Sequence, residues 1–163
     1  MNTYMLFDFS INAPIENWRI VNDGVMGGLS QSSFTLSPKG HGQFSGIVSL
    51  ENNGGFASVR YRFERINVGN FEKVVIKLKG DGKAYQFRVK DDTNHRYSYI
   101  GPFKTSGEWE TIEIPLKTMY PAFRGRKLDI PDFSEPTIEE IAFLIGNKKN
   151  EDFKLLIDKI DLR

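Results

Sequence analysis

The segment "FASVRYRF", residues 56–63, decides the fold class because apolar and polar side chains alternate along it. Ala57, Val59, Tyr61 and Phe63 alternate with Phe56, Ser58, Arg60 and Arg62. Successive side chains of a β-strand point to opposite faces of a sheet. The pattern therefore predicts a strand with one face in the core and with Arg60 and Arg62 projecting outward.

The same alternation recurs along most of the chain. It is clearest in "KVVIKLK" (73–79), "AYQFRV" (84–89) and "WETIEIPL" (109–116), and turn-forming residues separate these segments. About ten short strands with turns every 8–12 residues predict an all-β sandwich or barrel.

Five further segments need separate arguments. The "GDG" motif (80–82) lies between two alternating segments and predicts a hairpin. The apolar run in "TIEEIAFLIG" (137–146) is short and ends at Gly, which favours a buried strand over a short helix. We expect residues 117–136, which contain several prolines, to form a long ordered loop. "LFDFS" (6–10) and "LLIDKIDL" (155–162) are expected to pair as first and last strands.

Composition sets the remaining bounds. A chain of 163 residues with 39% hydrophobic residues suits one domain, residues 1–163, with one core. The net charge of +1 gives no overall attraction to nucleic acid or to an anionic membrane. The absence of Cys excludes disulfides, thiolate metal ligands and a thiol nucleophile. No apolar run approaches the ~20 residues of a membrane span, and the start resembles no signal peptide, so we expect a cytoplasmic protein.

The glycine-rich segment "NDGVMGGLSQSSF", residues 22–34, raises the question of a phosphate-binding loop. Such a loop leads from a strand into a helix, usually with G-x-G-x-x-G spacing, whereas this segment runs from strand to strand. We therefore expect the glycines to provide turn dihedrals that other residues resist. With "ENNGG" (51–55), they are expected to form loops at one rim of the sandwich, where binding sites usually lie.

No catalytic or metal-binding motif stands out. Neither His41 nor His95 has the spacing of a zinc site, no G-x-S-x-G motif is present, and no carboxylate pair stands out among the 21 acidic residues. The enzymatic alternative is glycan processing, which would need two carboxyl groups about 5–9.5 Å apart in one cleft. Asp8 and Asp158 lie near the chain ends, but calcium needs a denser set of oxygen ligands. The simpler interpretation is that Asp158 marks a break in the alternation. We expect no catalytic residue, no metal and no cofactor.

Strand parity identifies a candidate binding site. Arg60 and Arg88 lie opposite apolar residues of their own strands, so both project away from the core. Guanidinium groups bind carboxylate or phosphate in pairs of hydrogen bonds, and aromatic rings stack on sugars or bases. We predict a polar pocket around Arg60, with Arg88, Tyr99 and Arg124 as walls and the loops of Asp23, Asn52 and Asn53 as rim. Two alternatives stay open: a solvated face without a ligand, and a structural salt bridge from Asp23 to one of these arginines.

Three segments together resemble a known family. "WRIVNDGVMGGLSQSSF" (18–34), "GQFSGIVSLENNGGFASVR" (42–60) and "FKLLIDKIDL" (153–162) are similar to the complex I intermediate-associated protein 30 family. The resemblance extends from about Phe7 to Leu162. It implies a galactose-binding-like jelly-roll β-sandwich, akin to carbohydrate-binding modules, and a non-enzymatic role. Mitochondrial members assist the assembly of respiratory complex I, and plant relatives serve photosynthetic gene expression.

These observations predict a non-enzymatic binding protein with a protein partner. The resemblance implies an assembly or chaperone-like factor for a larger, respiratory complex I-like complex. The first alternative is a module that binds a carbohydrate or another small polar ligand. The second is RNA binding, which the plant relatives suggest and which needs a local basic, aromatic-lined face.

Overall fold

The computed structural model describes residues 3–26 and 28–163, and the side chains of Val25, Met26 and Asn53 also lie outside the description. In these residues the strands are β1 (Tyr4–Asp8), β2 (Trp18–Ile20), β3 (Gln31–Leu36), β4 (Gly42–Val48), β5 (Ala57–Asn67), β6 (Lys73–Lys79), β7 (Ala84–Lys90), β8 (Ser98–Lys104), β9 (Trp109–Pro115), β10 (Tyr120–Phe123), β11 (Arg126–Lys127), β12 (Thr137–Ile145) and β13 (Glu151–Leu162). Short 3-10 turns occur at Ile15–Asn17, Asp23–Met26, Glu51–Asn53 and Leu116–Thr118. None of the helical segments that the structure describes is long and apolar enough to cross a membrane.

The strands form two antiparallel sheets that pack face to face. The first sheet has the order β3-β4-β13-β6-β9, and β1 also pairs with β13. The second sheet has the order β11-β10-β8-β7-β12-β5-β2. The inward side chains of both sheets meet in a core that includes Phe44, Ile76 and Leu155 from the first sheet and Phe87 and Phe143 from the second. This confirms the all-β jelly-roll sandwich.

An aromatic cluster links the two sheets near their β2 and β3 edges. Trp18 of β2 stacks between Tyr61 of the second sheet and Phe34 of the first, with ring centroids 5.0 Å apart in each pair. Phe7 of β1 meets the Trp18 ring edge-on at 5.4 Å. Large buried aromatic rings of this kind contribute much of the free energy of folding in a small sandwich.

Most strands lie where alternation predicts them, including β12 at the ambiguous apolar run and the pairing of β1 with β13. The β13 register shifts between Ile157 and Lys159, so the break expected at Asp158 is a bulge. The prediction of a hairpin at "GDG" is wrong, because β6 belongs to the first sheet and β7 to the second. Residues 117–136 are not a continuous loop, since they contain β10 and β11.

The buried carboxylate of Asp23 joins the two sheets at one end of the sandwich. The side chain is 0% exposed. It accepts hydrogen bonds from the amides of Gly55 (2.7 Å) and Phe56 (3.3 Å), which lead into β5 of the second sheet. It also accepts bonds from the amide (3.0 Å) and hydroxyl of Ser30, which precedes β3 of the first sheet. The Ser30 hydroxyl in turn accepts from the amide of Ser49, just after β4, at 2.9 Å.

This carboxylate also explains two of the glycines. A Cβ at Gly28 would lie 2.4 Å from Asp23 Cγ, and one at Gly54 would lie 2.6 Å from Asp23 Oδ2. The expectation of unusual turn dihedrals is wrong for Gly24, whose φ angle is not positive. Gly27 lies outside the described residues, and the expectation stays a prediction for Gly28, which follows it. Gly55 does have a positive φ, of 142°.

The protonation of Asp23 is coupled to folding. Burial raises the pKa of this carboxyl, but the hydrogen bonds from Ser30, Gly55 and Phe56 outweigh that effect and hold the pKa below its ordinary value. A carboxyl with a depressed pKa in the folded state stabilises the protein above its unfolded pKa, about 3.9. That contribution is lost as the pH falls through the folded-state value.

We predict that Asp23→Asn lowers the free energy of unfolding by about 2–4 kcal/mol at pH 7, because an amide group would face donors that need an acceptor. Urea denaturation followed by fluorescence measures the difference. The exposed Asp129→Asn serves as the matched control and should change stability by less than about 0.5 kcal/mol. The gap between wild type and Asp23→Asn should shrink below about pH 4. A gap that is small at pH 7, or constant with pH, would contradict the role assigned to this carboxylate.

Candidate functional site

A row of paired residues crosses the outer face of the second sheet. Arg19 of β2 pairs with Arg60 of β5, which pairs with Ala142 of β12, and Ala142 pairs with Arg88 of β7. The row continues from Arg88 to Ile100 of β8 and Tyr120 of β10. Directly paired residues of antiparallel strands lie on the same face. Their neighbours along these strands, such as Val59, Phe87 and Phe143, are buried in the core, so this row faces outward.

A second row adjoins the first. Glu140 of β12 pairs with Arg62 on one side and Lys90 on the other. Glu140 is only 2% exposed, and its Oε1 accepts a hydrogen bond from Arg62 Nε at 2.7 Å. Lys90 is also buried, and its Nζ donates to the backbone oxygen of His95 at 2.9 Å. We call Arg19, Arg60, Arg62, Arg88 and Lys90 the arginine face.

Two cations in the middle of the arginine face lack an acidic partner. Within residues 3–26 and 28–163, neither Arg60 nor Arg88 has a carboxylate within 4.0 Å of its guanidinium. Arg88 Nε and Nη2 donate instead to Gln86 Oε1, at 2.9 and 2.7 Å. Between the two arginines lies Ala142, whose small side chain is 4% exposed. Two half-buried guanidinium groups therefore flank an alanine in the sheet.

The surroundings of the arginine face lower the pKa of three of its cations. Burial lowers the pKa of Arg60, of Lys90 and of Arg88, the last to about 10. Neighbouring cations add to the effect, since Arg60 acts on Arg88 and Arg19 acts on Arg60, whereas the Glu140 carboxylate partly offsets it for Arg60 and Lys90. Both arginines stay charged at neutral pH, and an anion placed between them would relieve the repulsion.

The structure brings Arg60 and Arg88 to one face, but it does not place Tyr99 with them. Tyr99 pairs with Val89, so it shares the inner face of the sheet. It is 2% exposed, and its ring meets Phe133 edge-on at 5.0 Å. The prediction that Tyr99 forms a pocket wall is therefore wrong. Tyr120, which pairs across from Ile100, is the aromatic residue in the arginine row.

Arg124 is also displaced from the predicted pocket. It lies with Gly125 at the tip of the β10–β11 hairpin, where both residues have positive φ, and its guanidinium lies over the Phe123 ring at 5.2 Å. β10 is four strands from β5 in the sheet, which corresponds to about 19 Å between strand axes. Arg124 therefore does not form a wall around Arg60.

The residues predicted to form the rim of the pocket have different positions in the structure. Asp23 is a buried anchor rather than a rim residue. Among the described residues, no Lys or Arg lies within 4.0 Å of its carboxylate, so the proposed salt bridge to an arginine is wrong. Asn52 is exposed in the Glu51–Asn53 turn, with a φ of 54°. The side chain of Asn53 lies outside the described residues.

Sequence reasoning missed several members of the site. Lys90 has the same parity as Arg88 in β7, so extending that strand by one residue would have found it. Arg19 lies in the short β2, where three residues give too little alternation to assign a face. Glu140 follows a register shift in β12, and this shift breaks the alternation that would have placed it.

The described residues contain no group of three His, Cys, Asp or Glu side chains suited to a metal ion. The Asp158 carboxylate lies 3.6 Å from His41 Nε2 and 3.8 Å from Lys77 Nζ. Lys77 therefore places a positive charge beside this acid.

A family model described as "Complex I intermediate-associated protein 30" matches residues 7–157. The chain belongs to the complex I intermediate-associated protein 30 family. The resemblance found in the sequence is thus confirmed. A search of curated proteins finds no match to this family member.

Solved structures share the fold of this family member. A family 11 carbohydrate-binding module of a cellulosomal cellulase of Clostridium thermocellum is 17% identical, with a TM-score of 0.73 over 99% of this chain and 94% of that chain. A family 11 module from the same organism, in complex with a β-1,3-1,4-mixed-linked tetrasaccharide, is 18% identical with a TM-score of 0.70 over 98% and 94% of the two chains. A family 29 carbohydrate-binding module variant is 8% identical with a TM-score of 0.58, covering 100% of this chain and 92% of that one. At these identities the likeness shows the fold alone.

We predict different effects on stability for two substitutions in the arginine face. Glu140→Gln should lower the free energy of unfolding by about 1–3 kcal/mol, because it removes a buried negative charge among cations and replaces one carboxylate oxygen with an NH2 donor. Arg60→Met keeps the apolar stem and removes a repelled charge, so it should change stability by less than about 0.5 kcal/mol or increase it. Urea denaturation of both variants measures these differences. A loss of more than 1 kcal/mol in Arg60→Met would indicate that Arg60 is structural.

Proposed function

We propose that this protein is a non-enzymatic binding protein that assists the assembly of a larger complex by binding a protein partner through the arginine face. Family membership supports an assembly-related role. The observation that carries the proposal is the pair Arg60 and Arg88, half-buried cations with no described carboxylate within 4.0 Å. Repulsion between two such charges does not help the fold, whereas charges of this kind serve a binding surface.

The charge of the arginine face indicates the chemistry of the partner. The whole chain carries a net charge of +1, so these cations are a local concentration rather than part of a generally basic surface. Glu140 lies among these cations, and its carboxylate is paired with Arg62. An acidic segment of a partner protein would complement this face and would be drawn to it at low salt.

Binding of a neutral glycan is the alternative, and the carbohydrate-binding modules with the same fold favour it. Glycan binding by such a face would rely on exposed aromatic rings that stack on sugars. Tyr120 is the aromatic residue in the arginine row, and Lys127 Nζ already lies 5.8 Å from its ring centroid. The cations therefore favour an anionic partner over a neutral sugar.

The proposal predicts that a tagged full-length chain co-purifies a specific protein from its native lysate and that the double variant Arg60→Ala/Arg88→Ala does not. Arg124→Ala is the matched control, because it removes an exposed arginine of the same sheet outside the arginine face, and it should retain the partner. Retention of the partner should also weaken as salt rises from 50 to 500 mM, since charge complementarity is screened. Capture by the double variant at wild-type level would contradict the proposal.

The glycan alternative is tested separately by thermal denaturation with the β-1,3-1,4-mixed-linked tetrasaccharide. A ligand that binds the folded state raises the melting temperature as its concentration rises. We expect no rise at millimolar tetrasaccharide. A saturable rise that Tyr120→Ala abolishes would favour the glycan-binding function.

A further inference from the structure

We propose that Arg60 and Arg88, with Ala142 between them, form a slot that binds one phosphate monoester group. The proposal rests on the binding role of the arginine face proposed above and specifies the chemical group that this face recognises.

The geometry of the slot follows from the strand register. Arg60 and Arg88 are the direct partners of Ala142 on its two sides, so their Cα atoms are two strand spacings apart, about 10 Å. Two long side chains that start at this separation can approach one small anion from opposite sides. Ala142 places only a methyl group between them, so no larger side chain of β12 separates the two arginines at this position.

One of the two arginines is already oriented. Gln86 Oε1 accepts from both Nε and Nη2 of Arg88, which fixes the plane of the guanidinium along its own strand. Arginine carries five N–H donors, so those not directed at Gln86 are free for a ligand. Preorganisation of this kind reduces the entropy lost when a ligand binds.

Charge and burial favour a phosphate monoester over a carboxylate. The two arginines supply two positive charges without a described carboxylate within 4.0 Å, since Glu140, the acid that acts on Arg60, is bonded to Arg62. A phosphate monoester carries a charge of about −1.5 to −2 at pH 7. A carboxylate would neutralise only one. Paired hydrogen bonds from planar guanidinium groups match phosphate oxygens, and they strengthen where water is partly excluded. Outward-facing Ala142 and Ile100 are both buried, which shows that neighbouring side chains limit water in this part of the face.

Isothermal titration calorimetry on the full-length protein tests the slot. The probes are phosphoserine and glutamate, both as N-acetyl amides, and glucose 6-phosphate. We expect saturable one-site binding of at least one phosphate probe and at least tenfold weaker binding of the glutamate derivative. The tighter of the two phosphate probes indicates whether the natural group belongs to a phosphorylated side chain or to a small phosphorylated metabolite.

Two kinds of variant separate a slot from general electrostatic attraction. Ala142→Leu fills the space without changing the charge, and Arg88→Met removes a wall. Each should weaken phosphate binding at least tenfold, while Arg124→Met should leave it unchanged. If Ala142→Leu fails to fold in the urea test, Gln86→Ala replaces it, since loss of the acceptor that orients Arg88 should weaken binding at least threefold.

The proposal is overturned if no phosphate probe binds saturably, if glutamate binds equally well, or if the space-filling variant binds like wild type. Its failure is distinguishable from failure of the proposed function. If phosphate does not bind but the double arginine variant still loses its protein partner, the slot is wrong and the binding role stands. If phosphate binds but the double variant retains the partner, the slot stands and the binding role is wrong.

Discussion

The hydrogen bonds of the buried Asp23 carboxylate are the constraint on which the rest of this structure depends. They connect the entry of β5 in the second sheet to the entry of β3 in the first sheet through Ser30. Asp23 follows β2, and its donors Gly55 and Phe56 precede β5, which pairs with β2. The same bonds therefore hold the adjacent ends of the two strands that carry Arg19 and Arg60. The glycine-rich loops bring amide donors close to the Asp23 carboxylate. Side chains at Gly28 or Gly54 would occupy the space that this carboxylate fills.

With the sheets held by the core and by this anchor, the outer face of the second sheet carries two arginines that have no described carboxylate within 4.0 Å. Arg60 and Arg88 are half-buried and mutually repulsive, and the neighbouring Glu140 is bonded to Arg62. Local departures of this kind from favourable charge placement are typical of functional sites, where stability is exchanged for recognition. A shared sandwich does not fix what its faces bind, so the fold that this protein shares with carbohydrate-binding modules does not by itself assign a ligand.

Sequence patterns predicted the fold well because strand alternation is a local property that the core enforces. The parity of β5 and β7 was enough to place Arg60 and Arg88 on one face. Parity within a strand does not give the register between strands, however, and a shift of one residue moves a side chain to the other face. Tyr99 was misassigned for this reason, because its face is set by pairing with Val89. The "GDG" segment was misassigned because a glycine turn that connects two sheets has the same local chemistry as one that closes a hairpin.

The role of Asp23 was also beyond the reach of sequence reasoning, since its donors come from residues seven and more than thirty positions away. A turn aspartate next to glycine is common and suggests only a local cap. Long-range contacts of this type, like the alignment of Arg60, Ala142 and Arg88 across three strands, appear only once the strand order is known.

The most direct measurement is NMR of the arginine Nε–Hε signals during titration of the full-length protein with N-acetyl phosphoserine amide. If the ligand lies between Arg60 and Arg88, the chemical shifts of both signals change together and follow one saturable binding curve for a single site. Those of Arg62, bonded to Glu140, and Arg65, bonded to Glu139, stay in place. Equal, unsaturated shifts of all exposed arginines, with no preference for Arg60 and Arg88, would contradict the assignment of this face as a specific binding site.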